Sequence, residues 1–402
     1  MDRRDFLIHS TGTLAGAALL PSLELAGPRR LREPRAVAVV GIGRQGRQIV
    51  QELSQIEGAR VTAVCDTDPE RLKAAVERTP GVEGFADHRA LLDRRKEIGA
   101  VIIATPTHLH RAIVDDCLRG GRHVYCEAPL AHTAEEARAI ADAAATAEPG
   151  KVLFQSGFQG RSNPVYQLAR SFFRSGAVRD LVSMQAQFHR KTSWRFPGAA
   201  ANWRLDPAVT TGLAGEVGAQ QFDVCAWFRG RLPVSVAGRG AIRLHNDGRR
   251  VPDTIHTTLL WDDGVALDYE ATLANSYGGQ FEQLHGTNAA IKLAWSHAWM
   301  FKEADAPTQG WEVYATRQQF HNDEGIVLIA DATKLAAQGA LKKGMGLPYT
   351  GLYYALGDFL KSIEEAAPPR CTAQDGLRAT VLGILANQAV TTGQQLAVPA
   401  GL

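Results

Sequence analysis

The chain has 402 residues, with 44 Lys+Arg against 42 Asp+Glu and a formal net charge of +2. That length suits two domains with ample core, and 45% hydrophobic with 21% charged residues describes an ordinary soluble globular protein rather than a disordered one. The near-zero balance argues against a dedicated nucleic-acid binder, which carries a strongly basic field.

Residues 1–30 read as a leader. Asp2-Arg3-Arg4-Asp5-Phe6-Leu7 precedes a small apolar run, Thr11–Leu20, too short to span a bilayer, which takes about 20 apolar residues. Adjacent arginines, then Phe-Leu and a weakly hydrophobic segment, resemble a twin-arginine export signal; a disordered basic tail is the alternative. No clean cleavage site precedes Ala26-Gly27, no lipobox cysteine follows, and no later segment reads as transmembrane. A periplasmic or otherwise exported protein is expected, without stable membrane insertion of the mature form. The resemblance implies export in the folded state, with any cofactor loaded in the cytoplasm. Cys65, Cys117, Cys126, Cys225 and Cys371 lack C-x-x-C spacing and sit mostly among apolar neighbours, which predicts buried thiols rather than a disulfide framework.

Residues 31–150 read as a dinucleotide-binding domain. Ala36–Val40 is an uninterrupted apolar run, as in a parallel strand buried on both faces. It leads into Gly41-Ile42-Gly43-Arg44-Gln45-Gly46 and a helical stretch to about Glu57. Between strand and helix a G-x-G-x-x-G loop has a mechanism. Gly41 permits the turn, Gly43 lets backbone approach a pyrophosphate, Gly46 allows close helix–strand packing, and the helix N-terminus favours phosphate. Val61–Cys65 is the next strand and ends in Asp66, whose carboxylate can accept ribose hydroxyls and repel a 2′-phosphate. NAD is favoured, although Arg44 leaves NADP open. Asp68-Pro69 starts a helix, Val101–Ala104 is a third strand ending in Thr105-Pro106-Thr107-His108-Leu109-His110, and His123–Cys126 a fourth ending in Glu127-Ala128-Pro129. Thr133 and Glu136 form a capping box before an alanine-rich helix, and Val152–Gln155 adds a short strand. Such β-α repeats imply a parallel sheet with the ligand beyond its carboxyl ends, so Thr105, His108 and Glu127 point toward the cofactor crevice, and the motifs that hold them add Pro106 and Ala128 as cofactor-binding candidates.

These motifs, with Asn202-Trp203-Arg204 and Glu216-x-Gly218-x-Gln220-x-x-Asp223 further on, resemble the Gfo/Idh/MocA oxidoreductase family, which includes glucose–fructose oxidoreductase and inositol dehydrogenase. The resemblance covers nearly the whole chain after the leader. It implies an α/β Rossmann domain followed by an α+β domain over 151–402 with a mostly antiparallel open sheet, often used for homo-oligomerisation, and C-terminal helices packing back on the first domain. It places Trp203 and Arg204 near the cofactor; a core tryptophan with a surface arginine is the alternative.

The second domain agrees by its own pattern. Leu181–Lys191, Val234–Leu244, Thr254–Trp261 and Val265–Ala274 are β-rich and separated by turn signals such as Asn246-Asp247-Gly248. Phe281–Leu293 and Gly310–Phe320 each predict another strand. About Leu328–Lys342 reads as helix, and Tyr353–Leu396 as two helices split by Ala367-Pro368-Pro369.

Two positions depart from the family. Its Glu-Lys-Pro motif supplies a lysine beside the nicotinamide, where this chain has Ala128; its acid/base histidine and orienting aspartate correspond to Gln220 and Glu216. The glucose–fructose oxidoreductase branch also lacks that histidine, having tyrosine, but keeps the lysine. An alanine carries no proton and a glutamine amide is no base near neutrality. Candidates to take over are Lys191 or His189, in His189-Arg190-Lys191-Thr192-Ser193-Trp194-Arg195, helped by Glu216; a solvated basic loop is the alternative. Gln155 and Gln159 with Arg161 flank a position that approaches substrate in the family, and Asp223 joins them; hydrogen bonding at a domain hinge is the alternative. Trp295, Trp299 and Trp311 offer a sugar-stacking surface or, the favoured reading, packing. No metal-ligand spacing and no nucleophile elbow stands out.

Three function classes follow. The first is an exported NAD(P)-dependent oxidoreductase acting on a sugar or polyol, the cofactor tightly bound and recycled by a second substrate. The second is an NAD-dependent glycosidase resembling glycoside hydrolase family 109, whose members also depart from Glu-Lys-Pro. The third is a cofactor-binding pseudoenzyme.

Overall fold

The computed structural model describes residues 25–147, 151–191 and 202–402. The twin-arginine motif and the basic loop from Thr192 to Arg195 lie outside them. By internal contacts the chain falls into two units. The larger comprises residues 28–163, 184–282 and 350–402; the smaller comprises 164–183 and 283–349 with the described residues before Pro28.

In the larger unit β1 (Arg30–Val40), α1 (Arg44–Ser54), β2 (Glu57–Cys65), α2 (Pro69–Arg78), β3 (Glu83–Phe85), α3 (His88–Arg94), β4 (Ala100–Ile103), α4 (His110–Arg119), β5 (His123–Glu127), α5 (Ala134–Thr146) and β6 (Phe154–Gly157) alternate. The six strands form one parallel sheet of order β3-β2-β1-β4-β5-β6. Val37–Val40 and all of β4 are buried, as strands covered on both faces must be. Strand order reverses between β1 and β4, which opens a crevice at their carboxyl ends. Local chemistry sets the helix starts. Asp68 accepts the N–H groups of Glu70 and Arg71 with Pro69 at the first helical position, and Thr133 caps α5 through the N–H of Glu136.

The rest of the chain adds α6 (Pro164–Arg174), β7 (Leu181–His189), α7 (Ala219–Arg229), β8 (Ser235–Ala241), β9 (Thr254–Leu260), β10 (Ala266–Thr272), β11 (Gln280–Gly286), β12 (Ala289–Ala294), β13 (His297–Lys302), β14 (Arg317–Gln319), β15 (Glu324–Val327), α8 (Ala332–Ala337), α9 (Gly351–Glu364), α10 (Ala373–Thr392) and β16 (Leu396–Ala397). In the larger unit β8, β9 and β10 pair antiparallel, while β10 runs parallel to β7. In the smaller unit β12, β13, β15 and β14 pair antiparallel in that order. The fold is thus an N-terminal parallel α/β domain followed by a mostly antiparallel α+β domain.

Three local readings change. Phe281–Leu293 is two strands, β11 and β12, broken at Thr287-Asn288. Residues 310–314 form a 3₁₀ turn, with strand only at β14, and the helix expected to Lys342 stops at Ala337. Trp295 stacks on Tyr166 with centroids 6.0 Å apart and donates its backbone N–H to the Tyr166 hydroxyl. Trp299 stacks on His297 and donates its indole N–H to Gln318. Both tryptophans are packing residues of the smaller unit.

Two long helices complete the larger unit. Thr350 and Thr372 cap α9 and α10, the latter in a reciprocal box with Asp375. The loops beside the crevice are tied to them: the Leu130 N–H donates to Thr380, the Ser156 hydroxyl to the Thr372 carbonyl, and the Gln155 amide to the Ala355 carbonyl. The five cysteines are buried thiols. Among the described residues no helix is long and apolar enough to cross a membrane, and no cluster of His, Cys, Asp or Glu could hold a metal ion.

Candidate active site

The glycine turn follows from contact distances. Gly41 has φ +91°, and a Cβ there would meet the Ala104 carbonyl and the Thr105 nitrogen at 2.7 Å; one on Gly46 would lie 1.8 Å from the Gly41 oxygen. Only glycine lets β1, β4 and α1 approach this closely. At Gly43 a Cβ would meet nothing within 4 Å, so this stretch of backbone faces open space. Gly43 opens α1 without a side-chain cap, leaving its first N–H groups and dipole for an anion. The exposed Arg44 adds positive charge, which acts on Arg204 and helps hold that guanidinium below its ordinary value, after burial as the main cause.

Asp66 closes the other end of the turn. Its buried carboxylate accepts the Ile42 N–H at 2.8 Å through one oxygen, and the Asp68 N–H at 2.9 Å and the Arg71 guanidinium at 3.2–3.3 Å through the other. Arg71 was not foreseen; it stands on the first turn of the Asp68-Pro69 helix, five residues past Asp66. Beyond β4, the Thr105 hydroxyl oxygen and His108 Nδ1 are buried without a hydrogen-bond partner. His108 stands edge-on to Trp203 and His132, and burial holds its imidazole below the ordinary range. His110, fully buried, is pushed down to about 4 by burial and lies between the carbonyls of Thr105, Pro129 and Leu130. It links the loops after β4 and β5. An open glycine backbone, a helix N-terminus, a carboxylate at the end of β2 and orphaned polar atoms at the end of β4 fit a dinucleotide.

Two buried carboxyls flank this crevice. Glu127, at the end of β5, accepts the Gln45 amide at 2.9 Å. Burial pushes its carboxyl up to about 7, against the opposing pull of Gln45 and the Ala128 N–H. Glu216 sits in a π-helical turn, Ala214–Gly218, ahead of α7. Its carboxylate accepts the Thr211 hydroxyl at 2.8 Å and the Thr107 hydroxyl at 3.4 Å, and lies 3.8 Å from Arg204 Nε. Burial raises its carboxyl above the ordinary range, while Arg204 and the two threonines pull it back. The Arg204 guanidinium rests 4.3 Å over the Trp203 ring. Neither threonine stands out in the sequence as a partner of Glu216: Thr107 lies 109 positions away, and Thr211, five positions before it, belongs to no motif.

Glu127 has a pH-dependent cost. Folded, it holds a proton near neutrality; unfolded, with its ordinary value of 4.5, it has released it. Its effect on stability therefore worsens as pH rises from about 4.5 to about 7. Glu127→Gln is expected to stabilise the fold by up to about 3 kcal/mol at pH 8 and by little at pH 4. Urea unfolding at both pH values checks this, and an equal change at the two would refute it.

Several expected site residues do other work. His189 was expected to act as a base, but β7 and β10 pair with His189 opposite Thr272 and Gln187 opposite Glu270. Side chains alternate along a strand, so His189, Gln187 and Glu270 share one face. The α7 helix covers the opposite face, its Phe222 packing on Tyr269 at 5.0 Å. His189 Nε2 faces Glu270 at 3.1 Å and Nδ1 the Tyr277 carbonyl at 3.0 Å, so it is not brought to Glu216. Lys191 has an exposed side chain, its N–H bonded to Ser276 beside this outer edge, and it is not brought there either. Gln220 is a clamp: its amide donates to the Gly157 carbonyl at 2.9 Å and accepts the Gln159 N–H at 3.2 Å.

The expected substrate ligands make structural bonds. Gln155, 1% exposed, donates its amide to the Ala355 carbonyl, while its own side-chain oxygen is buried without a hydrogen-bond partner. Arg161 and Asp223 form a buried ion pair at 2.8 Å, extended to Asp375 at 3.1 Å. Burial opposes the Arg161 charge, but these carboxylates outweigh it and raise its pKa. Ala128 packs toward Phe158, Ala219, Cys371 and Ala379, an apolar lining where the family places a lysine.

A family model described as "Oxidoreductase family, NAD-binding Rossmann fold" matches residues 35–155, and its companion, "Oxidoreductase family, C-terminal alpha/beta domain", matches residues 180–398. An inositol 2-dehydrogenase of Pseudarthrobacter chlorophenolicus is 30% identical over 249 residues, 62% of this chain and 70% of the relative. A glycosyl hydrolase family 109 protein of Shewanella amazonensis is 27% identical over 219 residues, 48% of this chain and 47% of the relative. The solved levoglucosan dehydrogenase, in complex with NADH and levoglucosan, superposes with a TM-score of 0.72 at 20% identity, over 91% of this chain and all of that one. With the glycine crevice and the two-domain order in place, the chain belongs to the Gfo/Idh/MocA oxidoreductase family and carries its NAD-binding Rossmann domain.

Proposed function

We propose that the protein is an exported oxidoreductase that acts on a hydroxyl or carbonyl of a sugar or polyol and keeps its NAD bound through the cycle. The observation that carries this is Glu216, a carboxyl with 3% side-chain exposure facing the loop after β4. When bound, NAD supplies the acceptor for a hydride from a carbinol carbon. Glu216 takes the hydroxyl proton onto a carboxylate oxygen. Thr107 and Thr211 fix the orientation of that oxygen, and Arg204 favours its charged form. Ala128 and Gln220 supply no proton acceptor, so the oxidation rests on a carboxylate where the family uses lysine and histidine.

Absorbance and native mass of the purified protein test the first step, with bound nicotinamide expected; an empty, NAD-indifferent protein would refute it. Reduction of the bound cofactor by a free polyol or sugar, reversed by a carbonyl compound, tests the second. Export is tested by moving Arg3 and Arg4 to lysine, which is expected to hold the chain in the cytoplasm.

A redox-neutral glycosidase is the second reading. It is favoured by the loss of the family lysine at Ala128, together with the family 109 relative. Release of sugar from aryl glycosides without net NADH would select it over the dehydrogenase.

A further inference from the structure

We infer that the nicotinamide end of the crevice selects the oxidised cofactor, binding NAD⁺ more tightly than NADH, and that the Glu127 carboxylate makes the selection. The two forms differ there by one charge: the oxidised ring is a cation and the reduced ring is neutral. Strand order fixes which protein groups meet that ring. Asp66 ends β2 on the adenosine side and the glycine turn follows β1. A dinucleotide lying across the switch point therefore sets its nicotinamide half beyond β4 and β5.

The charges at those two strand ends leave Glu127 unanswered. It is the last residue of β5, 8% exposed, and accepts the neutral Gln45 amide at 2.9 Å. No Lys, Arg or His among the described residues pairs with it. Its ionisable neighbours on β5, Tyr125 and Cys126, are held neutral by burial, as are His108 and His110 after β4. Glu216 has its own counter-ion in Arg204. The exposed Arg44 lies on the glycine turn, where the pyrophosphate supplies the opposite charge. At the next position Ala128 brings no cation, only an apolar lining with Phe158, Ala219, Cys371 and Ala379. A positive ring beside this pocket favours the ionised carboxyl, whereas a neutral ring leaves it alone and it takes a proton. Without nucleotide, Glu127 holds its proton up to about pH 7. NAD⁺ binds the ionised form better, so its advantage grows as pH rises through that value.

This inference rests on the dinucleotide-binding reading, and exchange of the bound nucleotide separates the two. The purified protein is equilibrated with excess equimolar NAD⁺ and NADH, and the bound pair is read by absorbance. At pH 8 the bound ratio is expected to favour NAD⁺ by about tenfold, falling to about threefold or less at pH 5.5. Displacing NADH with NAD⁺ in weakly buffered solution at pH 7 is expected to release protons. Glu127→Gln, expected above to gain stability at pH 8, should lose the preference, its pH dependence and the proton release together. Glu216→Gln should keep all three. A bound ratio at or below one in the unaltered protein at pH 8 would overturn the inference and leave the NAD reading standing, as would an undiminished preference in Glu127→Gln. Binding of neither nucleotide would overturn both.

Discussion

Glu216→Gln is expected to lower turnover by about 10²–10⁴-fold, the range for loss of a general base, while the purified variant keeps its nicotinamide. Glutamine preserves the shape and can still accept from Thr107 and Thr211, so the change removes proton acceptance together with the negative charge 3.8 Å from Arg204. The unaltered enzyme should also show an acid limb in its rate profile, because only the ionised carboxylate can take the hydroxyl proton. Burial raises this carboxyl above the ordinary carboxylate range, so that limb lies above the pH of an ordinary glutamate, and activity rises with pH through it. The limb should vanish in the variant. Turnover within threefold of the unaltered protein, with the limb intact, would move the base elsewhere, and Glu127 would be the next carboxyl to change.

Arg161→Ala is expected to cost about 3–5 kcal/mol of stability, the penalty for leaving a buried charge unpaired. Asp223 has 3% side-chain exposure and Asp375 19%, so removing the guanidinium leaves two carboxylates facing each other with little solvent. The residue also joins three segments, the turn after β6, α7 and the start of α10, so the loss should appear in global unfolding rather than in a frayed loop. The sign with pH is definite. In the variant an unpaired, buried Asp223 holds its proton to higher pH than in the unfolded chain, so the deficit is larger at pH 8 than at pH 5. Denaturant titration at the two pH values measures it. A change below 1 kcal/mol at pH 8 would make the network a weak surface pairing. Had Arg161 and Asp223 been substrate ligands, the variant would instead raise KM at unchanged stability.

Much of the first domain was legible because its signals are local. A buried strand reads as an apolar run, a tight turn as glycine, a helix start as Asp-Pro, and each is fixed within a few residues. The errors in the second domain have local causes too. Apolar positions recur on both sides of Thr287-Asn288, so β11 and β12 read as one strand, and β14 and β15 are only three and four residues long.

The catalytic residues were the least legible part. The sequence by itself determined the Rossmann half and its glycine turn, and, through the family resemblance, marked Ala128, Gln220 and Glu216 as departures from the family's lysine, histidine and aspartate. It offered His189 and Lys191 as replacements because a base next to another cation looks activated in one dimension. Only the tertiary structure decided against that, since the register of β7 on β10 turns His189 to the face opposite α7. It also decided that Gln155, Arg161, Asp223 and Gln220 hold the scaffold, and that Glu216 meets Thr107 and Asp66 meets Arg71. The physical reason is that proton affinity depends on burial and on neighbours brought together from distant segments, and a residue's type and spacing record neither.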